Sequence, residues 1–247
     1  MSFKDHFSTH AAGYAAYRPT YPSALIEFLA ATSPATSLAI DCGCGTGQLS
    51  VPLAARFERV VATDASAAQI QSATPHPRVE YRVAPAESTG ERDRSADLLT
   101  VAQAAHWLDL DRFYDEARRV LRPGGVLALI TYGVLDVDPD IEPVVQHFYR
   151  DVIGPYWPPE RRHVDAGYQD LPFPFAEIPY PPLAIEVSWS LAEFVGYVDT
   201  WSAVRAAEKA MGRTPMEELT QKLSALWGRP SRRRTIRWPL SLRLARL

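Results

Sequence analysis

Two cysteines are all that the 247 residues contain, and they stand one residue apart, as Cys42 and Cys44. A pair so close cannot staple distant segments. The fold has to rest on a packed core instead, and the chain is long enough to bury one. No further ligands lie near the pair at zinc spacing, so no metal site is expected. Scarce cysteine also suits a reducing compartment. Long apolar runs are missing too, and none reaches the roughly 20 residues a bilayer span needs. The opening Met1-Ser2-Phe3-Lys4-Asp5-His6 has no signal-peptide pattern, which makes the cytoplasm the expected location and a membrane partner unexpected. Nor is there an excess of charge. Lys and Arg number 26 against 29 Asp and Glu, and a net charge of −3 argues against a polyanion binder. Repeats and low-complexity tracts are absent. What remains, 47% hydrophobic and 22% charged residues, is ordinary globular composition.

Short apolar runs alternate with helix-like segments through the first half. Ser37 to Ile40 ends in Asp41, Arg59 to Thr63 ends in Asp64, and Val79 to Val83, Ala96 to Val101 and Val126 to Thr131 follow. Such runs suit buried parallel strands. The helices expected between them are Leu49 to Phe57, Ala65 to Ala73, and Leu110 to Leu121. The last presents Phe113, Ala117, Val120 and Leu121 on one face and stops at Arg122-Pro123-Gly124-Gly125. Strand-helix-strand repetition predicts an α/β fold with a doubly wound, mostly parallel sheet and right-handed crossovers. The second half differs. Gly154 to Leu183 holds eight prolines and six aromatic residues, which disfavours regular helix and also argues against a disordered linker. It is expected to be an ordered insertion. A strand at Ala184 to Ser188, helices at Leu191 to Arg205 and Pro215 to Trp227, and an alternating strand from Thr235 to Leu244 complete the chain. Pro239 marks an edge or bulge in that last strand.

The chemistry concentrates in Asp41-Cys42-Gly43-Cys44-Gly45-Thr46-Gly47-Gln48. A strand enters a glycine-rich turn that opens a helix. Gly43, Gly45 and Gly47 let the backbone bend and let a ligand approach. In a doubly wound sheet the carboxyl end of the first strand is a binding place. A dinucleotide fingerprint has its third glycine where Gln48 stands, and it sets a pyrophosphate on the helix N-terminus. Here Asp41 precedes the turn. A carboxylate gains nothing from pyrophosphate but suits a cation, and S-adenosylmethionine carries a sulfonium and an ammonium.

Three companions follow the next strands. Asp64, with Ala65 behind it, can accept hydrogen bonds from ribose hydroxyls or cap the following helix. Ala86-Glu87 stands where an adenine edge would lie, although a solvated acid is the plainer reading of Glu87. Gln103-Ala104-Ala105-His106-Trp107 follows the fourth strand, at the switch point. His106 is placed to act as a general base, to donate a hydrogen bond to substrate, or to cap a helix. Trp107 is a core residue, a wall or a substrate contact.

With these residues in place, the chain resembles the class I methyltransferase superfamily, in its small-molecule type 11 branch near the trans-aconitate methyltransferases. Tyr14-x-x-Tyr17-Arg18-Pro19-x-Tyr21-Pro22, the Asp41 to Gly47 turn, Asp64, Ala86-Glu87, Gln103-x-x-His106-Trp107, Leu121 to Gly125, Trp201-Ser202 and Trp238-Pro239-Leu240 carry the likeness. The resemblance implies a seven-stranded, Rossmann-like sheet with its last strand antiparallel. It also implies an N-terminal segment folded over the cofactor. Tyr14 and Arg18 would lie near the methionine end, with Arg18 pairing with its carboxylate. The cofactor set is then Tyr14, Arg18, Asp41, Gly43, Cys44, Gly45, Thr46, Gly47, Asp64, Ala65, Ala86, Glu87 and Gln103. Tyr17, His106, Trp107 and Trp201 would face the methyl acceptor, and S-adenosylhomocysteine would be the product. One domain, 1–247, is expected: a helical cover (1–36), a cofactor core (37–133), an insertion that covers the substrate (134–183) and a closing part (184–247).

The expected activity is methyl transfer to a small molecule at a carboxylate or hydroxyl oxygen. The competing readings are a nucleic-acid methyltransferase and a non-catalytic cofactor binder. Arg229, Arg232, Arg233, Arg234 and Arg237 invite the first, but a solvated turn explains them more simply. Oligomeric state is not legible.

Overall fold

The structure, a computed structural model, describes residues 19–247. Helix α1 (Ser23–Thr32) leads into β1 (Leu38–Cys42), α2 (Ser50–Leu53), β2 (Arg59–Asp64), α3 (Ala67–Gln71), β3 (Val79–Val83) and β4 (Ala96–Ala102). A 3₁₀ turn (Ala105–Trp107), α4 (Leu110–Val120) and β5 (Leu121–Thr131) follow. The second half runs α5 (Glu142–His147), α6 (Arg161–Asp165), β6 (Ala184–Trp189), α7 (Leu191–Asp199), α8 (Ser202–Met211), α9 (Met216–Trp227), β7 (Arg234–Pro239) and β8 (Ser241–Arg246).

Strand order in the main sheet is β3-β2-β1-β4-β5-β8. The first five strands are parallel and β8 is antiparallel to β5. The order reverses between β1 and β4, which creates the switch-point crevice. Period-two alternation sends side chains to two cores. Ala39, Val60, Leu98, Val126, Ala128 and Ile130 pack with α1 and α2 through Leu25, Leu29, Leu53 and Phe57. Ile40, Val61, Leu99, Leu127 and Leu129 pack with α4 through Phe113, Ala117 and Val120. A sheet covered on both faces explains why β1 and β4 are buried along almost their whole length.

Among the described residues the main sheet has six strands, close to the seven expected, in the doubly wound, mostly parallel arrangement expected. Several expectations need correction. The stretch from Thr235 to Leu244 is not one strand but two: β7 pairs with β6 in a separate antiparallel ribbon, and after Leu240 the chain enters the main sheet as β8. Pro239, which lacks an N–H, marks the change. The helix expected over Leu191 to Arg205 breaks at Thr200–Trp201 into α7 and α8. Helices α2 and α3 are shorter than expected. Strand β5 begins at Leu121, so the double glycine lies inside an irregular strand start, with Gly124 at φ +82°.

The insertion is ordered, as its aromatics suggested, and arginines fasten it. Arg243 donates to the carbonyls of Tyr168 (2.9 Å) and Leu171 (3.2 Å) and to Glu177 (2.6 Å), and its guanidinium lies over the Phe173 ring. Arg234 is 3% exposed and bonds Asp138 (2.6 Å) and Asp140 (2.7 and 2.8 Å). Arg233 pairs with Glu193 and Arg237 with Glu186. Much of the basic cluster near residue 234 is therefore spent on internal ion pairs. No helix among the described residues is long and apolar enough to cross a membrane.

Candidate active site

Asp41 sits second to last on β1, 1% exposed, beside its register partner Thr100 on β4. Its carboxylate accepts from Ser50 Oγ at 2.6 Å and from Thr100 Oγ1 at 2.8 Å. Burial pushes its pKa up to about 6, against the lowering effect of those two hydroxyls. Asp41 thus ties β1 to β4 and to the start of α2 beneath the glycine turn. Both its oxygens are engaged by protein hydroxyls.

The turn itself is left-handed at three places, Gly43 (φ +64°), Gly45 (φ +56°) and Gly47 (φ +94°). A Cβ on Gly43 would stand 2.6 Å from Ala104 Cβ, and one on Gly47 would collide with the Tyr81 hydroxyl. Three amides of the turn are spoken for. Cys44 N–H donates to Thr63 O (3.0 Å), Gly45 N–H to Asp64 Oδ2 (2.9 Å), and Gly47 N–H to Cys44 O (3.0 Å). A pyrophosphate cradle needs those donors free, and α2, four residues long, presents no helix end for a phosphate. The donor set therefore suits a ligand held by carboxylates, as S-adenosylmethionine would be.

Asp64, half-buried at the end of β2, accepts one bond on each oxygen, from Gly45 N–H and from Ser66 N–H (2.8 Å). Each oxygen keeps a lone pair for a further donor. The helix-cap alternative belongs to Ser66 instead, whose side chain accepts from Gln69 N–H at the start of α3. Cys44 and Thr46 are buried within the turn, Ala65 is exposed beside Asp64, and Ala86 is buried after β3. Glu87 is no idle surface acid, since it accepts from Asp109 N–H at 2.9 Å and so joins the loops after β3 and β4.

Gln103 closes β4 in the left-handed region, φ +57°, which costs a non-glycine residue of order 1 kcal/mol. Its side chain donates to Tyr132 O and accepts from Thr131 Oγ1, both at 2.8 Å, which clamps the ends of β4 and β5. The next turn carries His106. Its Nδ1 lies 2.8 Å from the hydroxyl of Tyr168, a fully buried residue of the insertion. Burial raises the Tyr168 ionisation, so the hydroxyl stays protonated, and the imidazole tautomer sets which of the two groups donates. Burial, followed by the charges of Arg161 and His163, pushes the His106 pKa down to about 3. Trp107, 37% exposed, lies against the His106 ring at 4.7 Å between centroids.

Sequence reasoning expected the insertion to cover the substrate but did not single out most of the residues that form this roof. Helix α6 packs against the His106 turn and brings Asp165 near Gly133, just past β5. Tyr149 donates to Asp165 (2.7 Å) and accepts from Arg161 Nε (2.8 Å). Trp201 joins this group through Tyr149 and Trp157, with ring centroids 5.5 and 5.9 Å away. A lone pair of arginines in a proline-rich stretch has no spacing signal, and only tertiary structure singles out Arg161. Tyr14, Tyr17 and Arg18 lie outside the described residues. Among those described, no three His, Cys, Asp or Glu side chains gather to hold a metal.

Comparison with known proteins agrees with this geometry. Residues 40–129, from β1 through β5, match the family described as Methyltransferase domain, type 11. A solved structure from Anaeromyxobacter dehalogenans, provisionally named a type II methyltransferase, is 50% identical. It aligns over 93% of this chain and 98% of that one, with a TM-score of 0.90. A provisionally named methyltransferase of Dictyostelium discoideum is 34% identical over 90% of this chain and 86% of its own length. A Saccharomyces cerevisiae protein named as S-adenosylmethionine-dependent matches more locally, at 29% identity over 49% of this chain and 45% of that protein. The chain belongs to the class I S-adenosylmethionine-dependent methyltransferases, in the type 11 family. It is an enzyme of that class, and the family implies S-adenosylmethionine as its cofactor.

Proposed function

We propose that the chain transfers the methyl group of S-adenosylmethionine to an oxygen of a small organic molecule, with a carboxylate favoured over a hydroxyl. The state of His106 carries the choice of acceptor. An imidazole held near pKa 3 is too weak a base to take a proton from an alcohol. A carboxylate oxygen needs no base. His106 then orients the acceptor rather than deprotonating it.

When bound, S-adenosylmethionine supplies a methyl group already activated by positive sulfur. The protein's part is to align the acceptor and exclude water. In this reading Asp64 takes the ribose hydroxyls on its spare lone pairs. Gly43, Cys44, Gly45, Thr46 and Gly47 form the floor, with Asp41 supporting it from below. Ala65, Ala86 and Glu87 border the nucleoside, and Gln103 fixes the end of β4 beneath the reacting centre. Trp107 and Trp201 wall the acceptor side. The whole chain works as one cytoplasmic domain on a diffusible acceptor. Engagement of Arg233, Arg234 and Arg237 in ion pairs favours this over a nucleic-acid substrate.

Calorimetric titration with S-adenosylmethionine, S-adenosylhomocysteine and NAD tests the cofactor half. Micromolar binding of the first two is expected, with none for NAD. Asp64→Ala should weaken it by about 10- to 100-fold, since a hydrogen bond to a charged group contributes about 1.5–3 kcal/mol. Binding of NAD, or indifference to Asp64→Ala, refutes the site.

A further inference from the structure

We infer that Arg161 is a specificity-determining residue that binds an anionic group of the methyl acceptor through its two Nη atoms. The inference rests on the proposed acceptor site and deepens it. Arg161 opens α6 and is 23% exposed, so it is neither a free surface charge nor sealed in the core. Its Nε edge is fixed, donating to Tyr149 Oη at 2.8 Å and to Asp165 Oδ1 at 3.2 Å. Its plane lies over the Trp157 ring, 4.6 Å from the centroid, and 5.5 Å from that of Tyr149. The Nη edge makes no hydrogen bond to any described residue. A guanidinium stacked on aromatic rings and tethered at one edge is preorganised to offer a two-pronged fork, the geometry that matches a carboxylate.

Three further observations point the same way. The only described carboxylate paired with Arg161 is Asp165, which also accepts from Tyr149, so its negative charge is shared. The positive charge of Arg161 is felt at both His106 and Tyr168, which places an anion-favouring field beside the switch-point crevice. And the Nε1–H of Trp157, next to Arg161, is buried with no partner among the described residues. A buried donor left unpaired is unfavourable unless a ligand or water meets it. The nearby His163 is held by Asp170 at 2.8 Å.

The test is a titration with matched pairs, benzoate against benzamide and succinate against succinamide. Tryptophan fluorescence reports through Trp157, and calorimetry follows binding in parallel. Each titration is run on the protein alone and on protein saturated with S-adenosylhomocysteine. At least one anion should bind about tenfold more tightly than its amide. Arg161→Gln should erase that preference while S-adenosylhomocysteine binds as before, and Arg161→Lys should keep part of it. Equal binding of acid and amide by the wild type, absence of anion binding, or a preference that survives Arg161→Gln overturns the assignment. Should Arg161→Gln fail to fold, the wild-type pairs and Arg161→Lys still decide. Loss of S-adenosylhomocysteine binding in the wild type would instead strike the cofactor reading, and the anion preference would be judged on the protein alone.

Discussion

Replacing His106 by Asn should change how stability depends on pH in a way that no surface histidine would. In the folded protein the His106 pKa is about 3, against an ordinary 6.5. The folded state therefore resists protonation that the unfolded chain accepts. Its contribution is present above pH 6.5 and is lost as pH falls towards 3. Between about pH 7.5 and 5 the unfolded chain gains the proton alone, which removes about 2 kcal/mol of stability. Solvent at the exposed edge of the ring trims this figure. Asp41 acts in the opposite sense. Its folded pKa of about 6 exceeds the ordinary 3.8, so the folded state takes up the proton first, and stability rises by about 1 kcal/mol over the same interval. In the wild type the Asp41 effect offsets part of the His106 effect. In His106→Asn only the Asp41 effect remains. Urea unfolding followed by circular dichroism at several pH values measures both curves. Wild type minus variant should fall by about 2 kcal/mol from pH 7.5 to 5. Parallel curves would refute the account, because they would mean His106 titrates normally and is free to act as a base.

Three other outcomes follow from the same geometry. Gly43→Ala combines a left-handed φ of +64° with a 2.6 Å approach to Ala104. It should cost about 1–3 kcal/mol and weaken S-adenosylhomocysteine binding, read by thermal melting and calorimetry. Arg234→Met removes the partner of Asp138 and Asp140 and the cation over Trp227. Unfolding should become easier by about 1–2 kcal/mol, because the carbonyls of Leu226 and Trp227 lose the donor that the buried guanidinium supplies, while the exposed carboxylates of Asp138 and Asp140 are left to water. Ser66→Ala deletes the cap of α3, for a loss of about 1 kcal/mol in urea unfolding.

The cofactor side of the molecule was largely legible because its signals are local. Apolar runs ending in Asp41 and Asp64 gave β1 and β2, and the spacing of Gly43, Gly45 and Gly47 separated this turn from a dinucleotide one. The role of Asp41 was only half legible. Sequence placed it at the end of the first strand but could not reveal that Ser50 and Thr100 occupy its oxygens, since Thr100 lies on another strand. Helix α4 ended near its predicted stop, yet β5 absorbed the residues after it, because pairing with β4 outweighs the turn preference of Gly124. The acceptor side was hidden for a different reason. Arg161, Tyr168, Tyr149 and Trp157 come together through tertiary packing of a proline-rich stretch with no period, and the Tyr168 contact that sets the state of His106 spans 62 positions.

The strand that completes the main sheet arrives late. Strand β5 borders β4 early in the chain, but its other edge is covered only by β8, on the order of a hundred residues further on. At a synthesis rate of about 5–20 residues per second, that edge stays bare for on the order of ten seconds as the chain is made. An apolar strand with an open edge is a template for pairing with another chain. Nascent copies of this protein are therefore most vulnerable to one another in the interval before β8 emerges, and slow translation past residue 131 should lower the yield of native enzyme even when the finished fold is stable.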